Sequence, residues 1–504
     1  MLFNNGVYWD DWTVYKMDRI GLMQHFGNNG ALMLVYVHDF LNDSDYSPLL
    51  YHWLSFVFLL GIFMFFFKIL KQYGCKEITA FFISLLAMLA PYFEIKSTII
   101  CMPYPLFLFL FTAGLYMVLD FLENNKKYIS LIFGSFFLLV GFFLNSLLPL
   151  FLFILTLHFI IKRDFSFDKI KQTNYKTIFS YCGLGLLPFI FWIFKKVFLP
   201  IGGAYASVGY NKINIVWKEI PIKYANAFTD NIIGIYKELI TAFQDHFSFS
   251  IGVFFISIFF SFFVLRNVLF KENYEKSKLL KFMIFGILSF LVVVFPYLVV
   301  NKPPSYEGYE TRHQVLLPLA LSFCLFPVVF VLPENFRKAI CIFILSCFLT
   351  ININANANYL RGWIKIEAVK HNIKFLNENR DGTIFTDGFN GEYNATERQL
   401  IFYELNGVFK EILGKEDKFI IQNKSSYNYL STFLAQPESY NIRDLTENVN
   451  EDVVLKVEYG DETDYGRLEI MKSIYYYYFN HDKFKERVEN MLSMKYQPKP
   501  VIVE

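Results

Sequence analysis

Apolar residues fall in long blocks over the first 353 positions, separated by short polar or basic connections, and the pattern then changes to shorter, mixed stretches. A helix needs about 20 mostly apolar residues to cross the roughly 30 Å of bilayer hydrocarbon. Ten blocks meet or approach that requirement, at residues 50–70, 78–93, 103–122, 128–144, 147–161, 178–198, 249–265, 279–300, 315–332 and 339–353. Only Asn145 and Ser146 separate the fourth block from the fifth, which predicts a tight turn or a re-entrant hairpin. Beyond the last block, Leu360, Trp363, Ile366, Val369, Ile373 and Leu376 recur at spacings of three and four, the signature of an amphipathic helix. GTIFTDGFNG reads as a strand ending in a turn, and DVVLKVEYGDETDYGRLEIM as two strands around a turn. The aromatic run Tyr475 to Phe479 reads as a buried strand in preference to a membrane-facing patch.

The expected fold is therefore an α-helical polytopic membrane protein of about ten spans with a small C-terminal extracytoplasmic α/β domain. Its parts are a first external segment, residues 1–48, a multi-span domain, 49–353, and a soluble domain, 354–504. Composition agrees: 55% of the 504 residues are hydrophobic and 18% charged, an apolar excess that a water-soluble core cannot bury. A net charge of +2 points to neither nucleic acid nor an acidic partner, so the placement of charge matters more than its sum. The six cysteines lie in or beside apolar blocks at no metal or disulfide spacing, and read as small packing residues.

Lys and Arg set the orientation, because short basic loops stay in the cytoplasm. Lys68 and Lys71 follow the first block, Lys126 and Lys127 the third, Arg163 and Lys169 the fifth, Arg266 and Lys271 the seventh, and Arg337 and Lys338 the ninth. Every second loop is then cytoplasmic, with Lys195 and Lys196 the exception, and both termini lie outside a cell membrane. The external face gathers the segments 1–48, 94–102, 199–248 and 301–314 together with the C-terminal domain. The 199–248 segment, whose start is glycine-rich, is a candidate mobile cover.

Three groups on that face can carry chemistry. Asp10 and Asp11, bracketed by Trp9 and Trp12, can bind a divalent metal or take a proton from a hydroxyl. Adjacent residues do not share a face of a helix or strand, so one of the two enters a site, and a helix cap beside interfacial tryptophans is the alternative. Glu94 and Lys96 sit at the external end of the second block, where an ion-paired couple is the alternative to a cavity-facing acid. Lys302, Arg312 and His313 precede the ninth block and suit a phosphate, with an interfacial anchor as the alternative.

The many spans, the acidic YWDDW segment and YETRH before a late span resemble the GT-C superfamily of polytopic glycosyltransferases. That resemblance implies transfer of a sugar from a polyprenyl-phosphate donor to a glycan, lipid or protein acceptor. It implies Asp10 or Asp11 as base, Arg312 with Lys302, His313 and Lys96 as phosphate-binding cations, and a divalent cation, Mg or Mn, on Asp11 and Glu94. Members of that superfamily place a span before the acidic segment, so either a span upstream of Met1 or a different topology is expected. A polysaccharide polymerase or ligase is the alternative of like location, a transporter of lipid-linked or small polar substrate fits less well because charge inside the spans is scarce, and a scaffold is the non-enzymatic alternative.

Overall fold

The structure is a computed structural model and describes residues 3–44, 46–91, 94–124, 128–163, 175–202, 212–245, 247–266, 274–306, 308–376, 382–389, 391–394, 398–414, 418–421, 449–460 and 466–498. Every apolar block forms a helix. After the short helices α1 (Arg19–Asn28) and α2 (Met33–Asn42) come α3 (Ser47–Gln72), α4 (Glu77–Leu89), α5 (Pro103–Asn124), α6 (Tyr128–Gly141), α7 (Leu147–Arg163) and α8 (Tyr175–Phe198). They continue with α9 (Ile220–Asp245), α10 (Phe247–Leu265), α11 (Lys276–Val299), α12 (Leu317–Phe330) and α13 (Glu334–Lys374).

Six of these helices, α3, α5, α8, α10, α11 and α13, are long and apolar enough to cross a membrane, whereas α4, α6, α7 and α12 are shorter apolar helices. At about 1.5 Å per residue, the 13 residues of α4 and the 14 of α6 and α12 reach only part of the way through the hydrocarbon. Helix length by itself supports six of the ten expected crossings, and the architecture is that of a polytopic helical membrane protein. Its apolar side chains face outward as well as inward: Met64 is 55% exposed, Phe179 79% and Phe259 72%, which is tolerable only where the surrounding solvent is hydrocarbon.

Between α5 and α6 the backbones nearly touch. A Cβ at Gly114 would lie 2.7 Å from the Gly134 carbonyl oxygen, the close approach by which membrane helices gain dispersion contact without a hydrophobic driving force. Residues 142–146 then form the turn expected at Asn145 and Ser146.

Residues 199–248, expected as a loop, contain the 26-residue helix α9. The glycine-rich start of that segment, from residue 203 to 211, lies outside the described residues. The boundary expected between residues 353 and 354 falls inside α13, a single 41-residue helix whose last third is the centre of the C-terminal domain. There Leu360, Trp363, Ile366, Val369 and Ile373 are all buried, in keeping with their helical spacing.

Around that helix pack α14 (Phe402–Leu413), α15 (Arg467–Phe479), α16 (His481–Met491) and a four-stranded sheet ordered β2-β1-β3-β4. The strands are β1 (Gly382–Asp387), β2 (Lys418–Ile421), β3 (Val449–Tyr459) and β4 (Leu492–Pro498), with β1 parallel to β2 and β3, and β3 antiparallel to β4. The second strand expected after Tyr459 is instead α15, which contains the Tyr475 to Phe479 run. Ile470, Ser473 and Ile474 are buried at helical spacing, and the Tyr477 ring meets Trp363 edge-on at 4.8 Å. One-sided packing decides against the strand propensity of the aromatics.

Candidate functional site

Residues Trp9–Thr13 form a single 3-10 turn, which aims Asp10 and Asp11 in different directions. Asp11 is turned inward and fully buried. One of its oxygens accepts the Ile100 N–H at 2.7 Å and the other the Tyr8 N–H at 2.9 Å. The Ile99 N–H also helps to hold the charge, although burial outweighs these bonds and pushes the carboxyl up to about 8. Asp11 therefore staples the first segment to the chain just before α5.

Asp10 is half-buried. Its carboxylate accepts a hydrogen bond from the Tyr403 hydroxyl of α14. Burial raises its pKa to about 6, against the lowering effects of the Tyr403 bond and of Arg312 and Arg398, while Glu404 pushes the same way as burial. A carboxyl poised there can accept a proton near neutral pH.

Trp9 carries a left-handed backbone, φ 47°, which costs a non-glycine residue on the order of 1–3 kcal/mol. Two contacts hold it. Its N–H donates to Glu404 Oε1 at 2.8 Å, and the Arg312 guanidinium lies 4.8 Å from the centroid of its indole. Glu404, buried, also accepts the Ile401 N–H at 2.9 Å and pairs with Arg398 at 2.9 Å. Trp12 packs over Gly407 of α14, where a Cβ would fall 2.6 Å from the indole. Beside it, Glu411 joins Lys16 at 3.1 Å to Lys370 at 2.9 Å, linking the first segment, α14 and α13.

Of the other expected cations, Arg312 and His313 join this junction. Arg312 and His313 end the 3-10 helix Gly308–Gln314, which packs against the 3-10 helix Glu94–Ser97. Arg312 is half-buried and its Nε donates to His313 Nε2 at 3.4 Å. His313 itself is buried, its ring 5.2 Å from that of Tyr297, so it braces the arginine from behind. Lys302 is half-buried at the start of the same segment. Lys96 donates to Asn352 Oδ1 at 3.4 Å and lines a small apolar cleft of about 40 Å³, together with Leu59 and Phe66 of α3, Ser84 of α4, Leu108 of α5 and Pro318 of α12.

The expected divalent cation on Asp11 and Glu94 involves one side chain that the structure describes and one that it does not. Both Asp11 oxygens already accept main-chain N–H groups, the Glu94 side chain lies outside the described residues, and no trio of His, Cys, Asp or Glu among the described residues is arranged to hold a metal.

Spacing along the chain brought out Asp10, Asp11 and Arg312, and the structure brings Asp10 and Arg312 together around Trp9. Tyr403, Glu404 and Arg398 were missed, because they join the site from almost 400 positions away and carry no motif. The charged residues of ERQLIFYEL, unusual beside an apolar helix start, are the one local signal. No protein-family model, curated protein or solved structure matches the chain.

Proposed function

We propose that the chain is a membrane glycosyltransferase of GT-C type that moves a sugar from a polyprenyl-phosphate donor to a glycan, lipid or protein acceptor. The observation that carries this reading is the pairing of a proton-accepting carboxylate, Asp10, with a guanidinium, Arg312, which stacks on the neighbouring Trp9 and draws down the Asp10 pKa, at the end of an apolar bundle. The Lys and Arg bias of the loops, counted over ten crossings, supports an extracytoplasmic position in the cell membrane for that junction and for the C-terminal domain.

In this reading the acceptor hydroxyl gives its proton to Asp10 as its oxygen bonds to the anomeric carbon. The bond from that carbon to the phosphate oxygen breaks, and its electron pair leaves with the polyprenyl phosphate. Arg312, with Lys302 nearby in sequence, stabilises the charge that grows on the phosphate. Tyr403 orients Asp10 and keeps its ionised form accessible, and His313 positions Arg312.

The experiment is transfer of radiolabelled sugar from polyprenyl-phosphate donors by the full chain in membranes, compared with Asp10→Asn and Arg312→Ala. Loss of a general base costs about 10²- to 10⁴-fold in rate, and a comparable loss at Arg312 is expected with both variants still inserted. Wild-type transfer by Asp10→Asn overturns the assignment. A chain that transfers nothing from a broad donor panel, yet joins preassembled lipid-linked glycans, is a ligase instead.

A further inference from the structure

The helix α9 was invisible as a span, and its surface explains why. Its 26 residues divide into three arcs when plotted at about 100° per residue. One arc, with Ala227, Asn231, Gly234 and Ala242, is buried, and the helix packs on α10, α11 and α13. A second arc is apolar yet open: Ile222, Phe228, Ile232 and Tyr236 are between 41% and 63% exposed. Between these runs a polar arc of Asn226, Asp230, Lys237 and Gln244, all exposed. Trp217, just before the helix, is 71% exposed.

Water is the wrong solvent for the second arc, and the neighbouring helices say what replaces it. On α10, Ile256 and Phe259 are 68% and 72% exposed, and on α11 Ile287 is 50% exposed. Such residues face acyl chains when their helices span a bilayer, and an apolar arc packed beside them meets the same chains. A helix with an adjoining polar arc and an aromatic at its entry lies in the interface plane, its apolar side sunk about 5–10 Å below the headgroups.

The buried arc, meanwhile, grips the segment that carries Arg312. Asn231 Nδ2 donates to the Pro304 carbonyl at 3.2 Å, and its Oδ1 accepts from Gln314 Nε2 at 2.6 Å. The Tyr306 ring lies against Gly234, where a Cβ would come within 2.2 Å of it. Both ends of the 302–314 stretch are thereby fastened to one helix.

We propose that α9 is an interfacial helix that rides on the lipid surface and sets the depth of the Lys302 to Gln314 segment, holding Arg312 at the level of lipid phosphate. The placement of the helix stands on its own geometry; only the use of Arg312 for a substrate phosphate rests on the transferase reading.

The test places the photo-crosslinker benzoylphenylalanine, one site at a time, at Phe228, Ile232 or Tyr236 on the apolar arc and at Asp230 or Lys237 on the polar arc. Full-length protein in vesicles of phosphatidylcholine and phosphatidylglycerol with radiolabelled acyl chains is irradiated, with Phe259 on α10 as the internal standard. The apolar arc is expected to yield lipid adduct comparable with Phe259 and several-fold above the polar arc. Equal labelling of both arcs, no labelling of the apolar arc while Phe259 reacts, or crosslinks from that arc to a second copy of the chain would each overturn the proposal. A second arm reads the depth of a fluorophore at Ser305 by brominated-lipid quenching. Gly234→Val, which displaces Tyr306, should change that depth while the adduct pattern persists, and an unchanged depth breaks the coupling. Neither arm measures sugar transfer, so a failed transfer assay beside an intact adduct pattern rejects the transferase reading alone.

Discussion

The helical bundle and the junction above it are built by opposite rules. In the bundle, helices approach through small residues such as Gly114 and Gly134, and large apolar side chains lie on the outside as well as within. At the junction, the first segment, the 302–314 stretch and the C-terminal domain meet through buried carboxylates, aromatic rings and ion pairs, with Asp11, Glu404 and Glu411 at its nodes. The contrast teaches where structure is adaptable and where it is set atom by atom. A greasy surface tolerates exchange of one hydrocarbon for another, whereas a buried carboxylate bound to two N–H groups tolerates nothing.

The sharpest way to break that contrast is Asp11→Ala. It orphans the Tyr8 and Ile100 N–H groups, at about 1–3 kcal/mol each, so thermal unfolding in detergent should drop markedly and transfer should fall with it. Asp10→Asn keeps a hydrogen-bonding group for Tyr403 and should melt near the parent while losing transfer. If the two variants lose stability alike, the division between a stapling and a reacting aspartate fails.

A smaller effect is the pH profile. With its pKa raised by burial to about 6, Asp10 is protonated below that value and a competent base above it, so transfer should rise through pH 6 to a plateau. Tyr403→Phe removes a bond that favours the ionised form, so the rising limb should move to higher pH. A limb that stays in place, or moves to lower pH, removes Tyr403 from this role. Stability runs the other way: the folded state binds the Asp10 proton more tightly than the unfolded chain, whose value is near 3.8, and Asp10 therefore costs stability as pH rises from there to about 6.

The smallest effect belongs to the rim. Lys16 is mostly exposed where it meets Glu411, and its replacement by Ala should change the unfolding midpoint by less than about 1 kcal/mol. A larger loss, measured against Lys370→Ala as the buried counterpart, would extend the atom-by-atom rule to the surface.

Sequence pattern carried the bundle well because lipid demands continuous apolar runs, and each of the ten blocks is a helix. It failed at α9, whose apolar residues are spread over one arc among polar ones, and at Tyr475 to Phe479, where aromatic strand propensity misled and one-sided burial ruled. At the junction, Trp9, Asp10 and Arg312 were legible as local chemistry. Their partners Tyr403, Glu404 and Arg398 were not, since tertiary contact across hundreds of residues leaves no spacing to read, and neighbouring aspartates could be told apart only once the 3-10 turn fixed their directions.

The 41 residues of α13 run without a break from the bundle into the middle of the C-terminal domain. At about 1.5 Å per residue it is a drive shaft some 60 Å long, with no hinge at the water boundary. A torque applied to one end arrives at the other, so the soluble domain turns only with its membrane root. A bilayer that tilts or squeezes the root therefore moves the soluble domain with it.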